Sequence, residues 1–304
     1  VSPSLQKHIN SGKFVEVEGI KLFYSEVGEG SETILLLHGF FTTSYHFRNV
    51  AELLSHKYKV ISLDWAGVGL SEKPSSPLSH RLQAFYLHQV AESLVGDKKI
   101  HIVTHDYALP IVAFFSKEHP ERIKSLTILN GFLNLPKFRY YSPINILKIP
   151  LLGDLLSYCF RPPILKILVH LFLTKKGYRV SAEWEKDTFT LLFHGKNRKQ
   201  TLEFIRNVDR SSHTLRDVEE GLKSMVGLRQ VIIGEEDYRI SPYQTEFIKE
   251  TLRTSAHAVV PSGHLSMEEC PELISQKIEY LVDTYGRNKT KTFQFKRKDN
   301  QEEE

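Results

Sequence analysis

The chain has 304 residues, with 40 Lys/Arg against 36 Asp/Glu and 41% apolar residues. That length buries a substantial core, as one large domain or as a domain with an insertion, and the composition is that of an ordinary globular protein. Part of the net charge of +4 is local: six Lys/Arg and no acid run from Arg287 to Lys298, followed by Asp299 and Glu302 to Glu304. Residues 286–304 read as a charged, disordered tail rather than a nucleic-acid arm, so no nucleic-acid partner is expected.

Cys159 and Cys270 stand far apart in unlike contexts, with neither a disulfide framework nor metal spacing. A reducing, cytoplasmic compartment is the expectation. Residues 1–12 are polar and lack the apolar run of a secretory signal. The apolar segment 144–173 is broken by Pro150, Gly153, Asp154, Arg161, Pro162, Pro163 and Lys166. It never reaches the length of a membrane span, and no stable membrane insertion is expected. A monotopic surface would account for it; cap helices lining an apolar pocket do so at less cost.

Phe14–Val17 and Ile20–Tyr24 flank Glu18-Gly19 and predict a β-hairpin. Thr33–Leu37 is a continuous apolar run, as in a strand buried on both faces, and stops at His38-Gly39-Phe40-Phe41. A helix is predicted over 44–54, with Ser44 as a candidate N-cap, and a strand over Tyr58–Leu63. The loop from Asp64 to Ser71 contains Gly67 and Gly69 but lacks the third glycine of a dinucleotide fingerprint, and no GK[ST] follows. Nucleotide binding is set aside. A helix over Arg81–Leu94, a strand over Ile100–Val103, a helix from Leu109 or Pro110 to Lys117 and a strand over Ser125–Leu129 continue the alternation of a largely parallel sheet. From Leu133 to about Leu215 no buried strand is apparent, and prolines and aromatics punctuate helical patterns. Sheet signals return at Leu228–Ile233 and Ala256–Val260, and an amphipathic helix over Glu269–Tyr285 closes the fold.

At the end of the 100–103 strand, His105-Asp106-Tyr107 leads at once into a helix. An aspartate there needs no deprotonation to attack carbon at neutral pH and form an ester. Asp237 and His264 follow two later strands, and the C-terminal ends of parallel strands share the edge where open α/β folds build their sites. The order nucleophile, acid, histidine is that of α/β-hydrolases.

On His38-Gly39-Phe40, the Asp64–Ser71 loop, His105-Asp106-Tyr107, Gly234–Asp237 and Gly263-His264, the chain resembles the α/β-hydrolase superfamily. The match is to its aspartate-nucleophile branch of epoxide hydrolases and haloalkane dehalogenases. His-Asp-Tyr is also similar to the mesoderm-specific transcript family. The resemblance implies an α/β-hydrolase fold with a core over 14–132 and 216–285 and a helical cap over 133–215. It further implies attack by Asp106, water activation by His264, orientation of that imidazole by Asp237, and an oxyanion hole from the backbone N–H groups of Phe40 and Tyr107. No cofactor or metal is implied.

Several positions depart from the family pattern. Thr104 and Ala108 stand two residues either side of Asp106, where small residues are usual, and Leu109 follows. Phe41 stands where epoxide hydrolases usually have proline. Tyr107 and Phe40 occupy the positions of the Trp and Asn that dehalogenases use as halide donors, leaving Trp184 of the cap as a candidate donor. An epoxide oxygen needs a proton donor, for which the cap offers Tyr140, Tyr141, Tyr158 and Tyr178; Tyr141 and Tyr178 are chosen, with Phe41 and Trp184, as substrate-binding candidates. His38 and His105 read as structural, Asp64 as an organiser of the glycine loop, and Asn130 as a partner of the acid, of His264 or as a helix cap. Glu235 and Glu236 are rivals of Asp237. Hydrolysis of a small apolar epoxide by a monomer or homodimer is the expectation, with dehalogenation, ester hydrolysis and a non-catalytic small-molecule binding protein as alternatives.

Overall fold

A computed structural model describes residues 1–133, 135–137 and 145–299. Eight strands form one sheet: β1 (Gly12–Val17), β2 (Ile20–Val27), β3 (Thr33–Leu37), β4 (Lys59–Leu63), β5 (Ile100–His105), β6 (Ile123–Leu129), β7 (Leu228–Gly234) and β8 (His257–Val260). Their spatial order is β1-β2-β4-β3-β5-β6-β7-β8. β1 and β2 pair antiparallel, as do β2 and β4; every other pairing is parallel. β3 and β5 are buried along their whole lengths, because they lie in the middle of the sheet with helices over both faces.

The helices are α1 (Pro3–Ser11), α2 (Arg48–Leu54), α3 (His80–Val95), α4 (Ala108–Glu118), α5 (Leu152–Ser157), α6 (Pro162–Phe172), α7 (Ala182–Phe193), α8 (Lys196–Arg206), α9 (Ser212–Ser224), α10 (Pro242–Leu252), α11 (Ser266–Glu269) and α12 (Pro271–Asp299). Residues 108–116 of α4 are buried without interruption, since the helix is covered by the sheet on one side and by α3 and α9 on others. Among the described residues, five helices and no strand separate β6 from β7.

Four readings of the sequence change. α1 was not foreseen, although Ser2 followed by Pro3 is a helix-start signal. Ser2 Oγ accepts from Leu5 N–H, Leu5 is fully buried against Tyr45 and Leu191, and Ser2 N–H donates to Asp187 Oδ1 at 3.0 Å. Ser44 is not a cap: Thr43 precedes a 3₁₀ turn over Ser44–Phe47, and Ser44 N–H is drawn instead to Asp64 Oδ1 at 2.7 Å. The boundary at 215/216 falls inside α9, which packs so tightly on α4 that a Cβ at Gly221 would lie 1.9 Å from the Ala113 carbonyl oxygen. Finally, α12 continues to Asp299, through residues 286–299 of the segment 286–304 whose charge suggested a disordered tail, with no proline to interrupt it; residues 300–304 lie outside the described residues.

Candidate active site

Asp106 sits between the last residue of β5 and the first turn of α4 with φ of +48°, a conformation that costs a non-glycine residue of order 1–3 kcal/mol and persists only where the surroundings impose it. They do so from two directions. Asp106 N–H donates to the Leu129 carbonyl of the neighbouring strand at 3.2 Å, and Leu109 N–H donates back to the Asp106 carbonyl at 3.3 Å. Across the turn runs Gly39, where a Cβ would come within 2.7 Å of the Asp106 Cβ; only glycine lets the β3 loop pass this close. Thr104 is accommodated fully buried, its hydroxyl 3.5 Å from the Thr127 carbonyl.

That close passage brings Phe40 N–H to Asp106 Oδ2 at 3.1 Å. Tyr107 opens α4 with helical backbone angles, and its ring packs between His80, Phe40 and Phe204. Among the described residues its N–H makes no bond to the Asp106 carboxylate. Phe41 also has a left-handed backbone, φ +55°, and its ring meets Phe40 edge-on at 5.0 Å without filling the space in front of Asp106.

His264 and Asp237 arrive from the loops after β8 and β7. His264 Nδ1 lies 2.9 Å from Asp237 Oδ2, and Nε2 lies 3.9 Å from Asp106 Oδ2, a charge contact too long for a hydrogen bond. Asp237 is held on both oxygens: Asn130 Nδ2 donates to Oδ2 at 2.6 Å and Arg239 N–H to Oδ1 at 2.9 Å. Ser266 Oγ donates in turn to Asn130 Oδ1. Asn130 thus partners the acid, and its φ of +48° rules out the helix-cap alternative because no helix starts there. Glu235 is exposed and Glu236 accepts from Lys176 N–H at 2.9 Å, so neither rival reaches His264.

Burial pulls the His264 imidazole down, but the carboxylates of Asp237 and Asp106 outweigh it and raise the pKa to about 9. Burial acts upward on Asp106, and the facing His264 charge brings it down to about 2. An imidazolium and two carboxylates therefore coexist at neutral pH. His105 is different: burial, reinforced by the His264 charge, lowers it to about 4, and as a neutral ring it donates Nε2–H to the His264 carbonyl at 2.9 Å. Asp64 organises the glycine loop as expected, accepting from Leu70 N–H at 2.8 Å and from Ser44 N–H. His38 supports the neighbouring loop, receiving Trp65 N–H on Nε2 at 3.2 Å.

In front of Asp106 and His264 opens a cavity of about 690 Å³ including its mouth. The cap contributes Phe160, Leu165, Leu168, Val169, Phe172 and Trp184 to its wall. Trp184 therefore borders the cavity, but its indole N–H donates to Glu268 Oε1 at 2.8 Å rather than into the space. Tyr178 does not border it; its hydroxyl donates to the Glu268 carbonyl at 2.9 Å. Tyr158 is exposed beneath Arg198, and Tyr140 and Tyr141 lie outside the described residues. Three groups were missed from the sequence. Arg239 borders the cavity and lowers Asp106 by its charge; Glu268, buried and gripped by Arg48, anchors the Trp184 indole; and Leu173 accepts His264 N–H at 2.8 Å. Nothing in the spacing singles out Arg239 or Leu173.

A mouse (Mus musculus) mesoderm-specific transcript protein is 31% identical over 192 residues, 58% of this chain and 54% of the relative. The chain thus spans about half the length of the first curated relatives it matches. A cis-3-alkyl-4-alkyloxetan-2-one decarboxylase of Shewanella oneidensis is 25% identical over 284 residues, 88% of this chain and 87% of the relative. A soluble epoxide hydrolase of Corynebacterium sp. is 28% identical over 130 residues, 43% of this chain and 45% of the relative. The fold is also that of the haloalkane dehalogenase from Bradyrhizobium elkani, with a TM-score of 0.78 at 19% identity over 91% of this chain and 99% of the other. The family model for the alpha/beta hydrolase fold matches residues 32–271. The sheet order, the strained turn at Asp106 and that match agree: the chain belongs to the alpha/beta hydrolase family.

Proposed function

We propose that the protein opens a small apolar epoxide through an ester on Asp106. The observation that carries this reading is the pairing of an ionised, oriented aspartate with a histidine–aspartate dyad at one end of an apolar cavity. A carboxylate oxygen of Asp106 attacks a ring carbon; the new carbon–oxygen bond replaces the ring carbon–oxygen bond, and the ring oxygen takes a proton from a solvent water. Ester formation removes the Asp106 charge that helped to raise His264, so the imidazolium gives its proton to the hydroxide left by that water and becomes a base. It then takes a proton from water, whose oxygen attacks the ester carbonyl, with Phe40 N–H stabilising the charge that develops there; the acyl carbon–oxygen bond breaks, the second water proton passes to the departing alcohol oxygen, and the Asp106 carboxylate is restored. Asp237 keeps the tautomer and stabilises the imidazolium that re-forms. No cofactor enters the scheme, and the apolar cap wall suits an apolar substrate.

One observation favours a second reading. In-line attack drives the departing oxygen away from Asp106 toward the cap, where the Trp184 and Tyr178 donors are already bound to Glu268. A four-membered lactone, the substrate class in the name of the Shewanella relative that spans most of both chains, would leave as a carboxylate and need a positive charge rather than an acid. Arg239 at the cavity supplies one.

His264→Gln should stop turnover at the ester. Intact-mass measurement after incubation with terminal epoxides, β-lactones and bromoalkanes separates the readings. An adduct of the whole epoxide on Asp106 supports the lead, a lactone-only adduct the second reading, and an alkyl adduct lacking bromide dehalogenation. No adduct from any, with the wild type also inactive, overturns the proposal in favour of a binding protein.

A further inference from the structure

α6 is apolar on two sides, roughly a third of a turn apart. Leu165, Leu168, Val169 and Phe172 face the cavity, whereas Ile164, Ile167 and Leu171, spaced three and four residues apart, are 41%, 56% and 66% exposed. A helix that is hydrophobic all round is ordinarily covered all round. The segment just before it behaves alike: Leu151 is 84% and Leu155 68% exposed. Of the eighteen exposed large apolar side chains among the described residues, nine fall between Ile146 and Leu171. Such clustering marks an interaction surface rather than ordinary exposed surface.

The charge interleaved with this surface identifies what covers it. Residues 145–180 contain six Lys/Arg (Lys148, Arg161, Lys166, Lys175, Lys176 and Arg179) against one acid, Asp154. That local excess of five exceeds the net +4 of the whole chain. Asp154 is itself neutralised by Arg206 at 3.0 Å, and among the cations Lys166 pairs with Glu185 at 3.3 Å. Arg161, Lys176 and Arg179 are exposed, and Arg198 lies over the exposed Tyr158 ring at 4.6 Å. Bulky apolar side chains flanked by cations match the boundary between acyl chains and anionic headgroups. They match a second copy of the same surface poorly, because it would bring like charges together. Among the described residues no helix is long and apolar enough to cross a membrane, so the arrangement suits lying on a bilayer.

We propose that the outer face of the cap, from Ile146 to Leu171, docks reversibly on an anionic lipid surface. Because α6 also walls the cavity, the docked face and the cavity lie one helix apart, a short path for an apolar molecule held in the bilayer. The docking itself does not rest on the chemistry at Asp106.

The test is sedimentation of the full chain with vesicles of phosphatidylcholine containing about a third phosphatidylserine, against pure phosphatidylcholine. At about 0.1 M salt, binding should be at least about tenfold stronger to the anionic vesicles and should fall as salt rises. Ile167→Gln with Leu171→Gln, and separately Leu151→Gln with Leu155→Gln, should each lower it about tenfold with unchanged thermal unfolding. Arg161→Gln with Arg179→Gln should reduce the preference for anionic lipid. His264→Gln protein should bind like the wild type, so failure of docking and failure of the proposed reaction are read separately. No binding to either vesicle, equal binding by the apolar variants, or a dimer in solution that the same variants dissociate would each overturn the proposal.

Discussion

On the sheet side of the cavity, each polar group that faces Asp106 is held by another. Phe40 N–H holds the Asp106 carboxylate, Asp237 holds His264, Asn130 and Arg239 N–H hold Asp237, and Ser266 holds Asn130. On the cap side, the polar groups turn away: Trp184 and Tyr178 both donate to Glu268 of the core, and what remains toward the cavity is mostly apolar. One wall fixes where charge can develop; the other sets shape and polarity. The charged groups at the cavity sit on loops at strand ends, and the cap is tied to the core by the Glu268 and Leu173 contacts.

Substitutions on the two walls should therefore differ most in rate. Asp106→Asn keeps the size of the side chain and removes the charge proposed to attack; turnover of any substrate found should drop by about 10⁴-fold or more, in a protein whose circular dichroism shows the same fold. Trp184→Phe on the cap wall should alter turnover by less than about tenfold, because the lost N–H served Glu268. Comparable losses from both, measured by steady-state kinetics, would break the contrast.

The next largest effect concerns the tie between the walls. Glu268 is buried and accepts from Arg48 with both oxygens, one at 3.1 Å, and from Trp184. Glu268→Ala leaves a largely buried guanidinium unpaired and should cost about 3–5 kcal/mol in urea unfolding. Glu268→Gln keeps an acceptor for the indole and should cost less. If both variants unfold like the wild type, the cap is not anchored through this residue.

The sequence made one wall legible and left the other opaque, for a physical reason. β3 shows as an uninterrupted apolar run and β5 and β6 as largely apolar ones, and Asp106, Asp237 and His264 each follow closely on a strand because parallel pairing carries the strand ends to one edge. Backbone pairing does that work, and its signal is local. Where a cap side chain points is decided by packing between helices far apart in sequence. Trp184 and Glu268 are 84 residues apart, and no spacing rule joins them. The two departures near Asp106 proved compatible with the turn for the same reason: Thr104 and Phe41 are judged by neighbours, not by type. α1 carries a local start signal in Ser2-Pro3, whereas its contact with Asp187 of α7 depends on packing across the chain.

A pH profile sharpens the picture of the sheet-side wall. His264 stands at about 9 against an ordinary 6.5. The raised value means that its charge stabilises the fold fully below about pH 6.5, and that this contribution is lost between there and about 9. Asp106, at about 2 against 3.8, contributes above about pH 3.8 and loses its part as pH falls to about 2. The urea midpoint should accordingly be highest between these limits and decline on the alkaline side. Asp106→Asn should flatten that alkaline decline, since it removes one of the two charges that raise His264. An unchanged alkaline limb in the variant would mean that Asp237 alone sets the histidine.

The smallest effect is the most discriminating one for the cap. If Tyr178 protonated a departing ring oxygen, Tyr178→Phe would lower turnover by about 10²-fold or more. Its hydroxyl instead donates to the Glu268 carbonyl at 2.9 Å, outside the cavity wall. Removing it should cost about 1 kcal/mol in stability, the worth of one neutral hydrogen bond. The rate constant for ester formation, read by rapid-quench mass measurement in a His264→Gln background, should stay within about twofold, because no proton leaves Tyr178 in that step. A stability loss with an unchanged rate assigns Tyr178 to the seam between cap and core. A rate loss with unchanged stability would move it into the cavity and require the cap to rearrange around substrate.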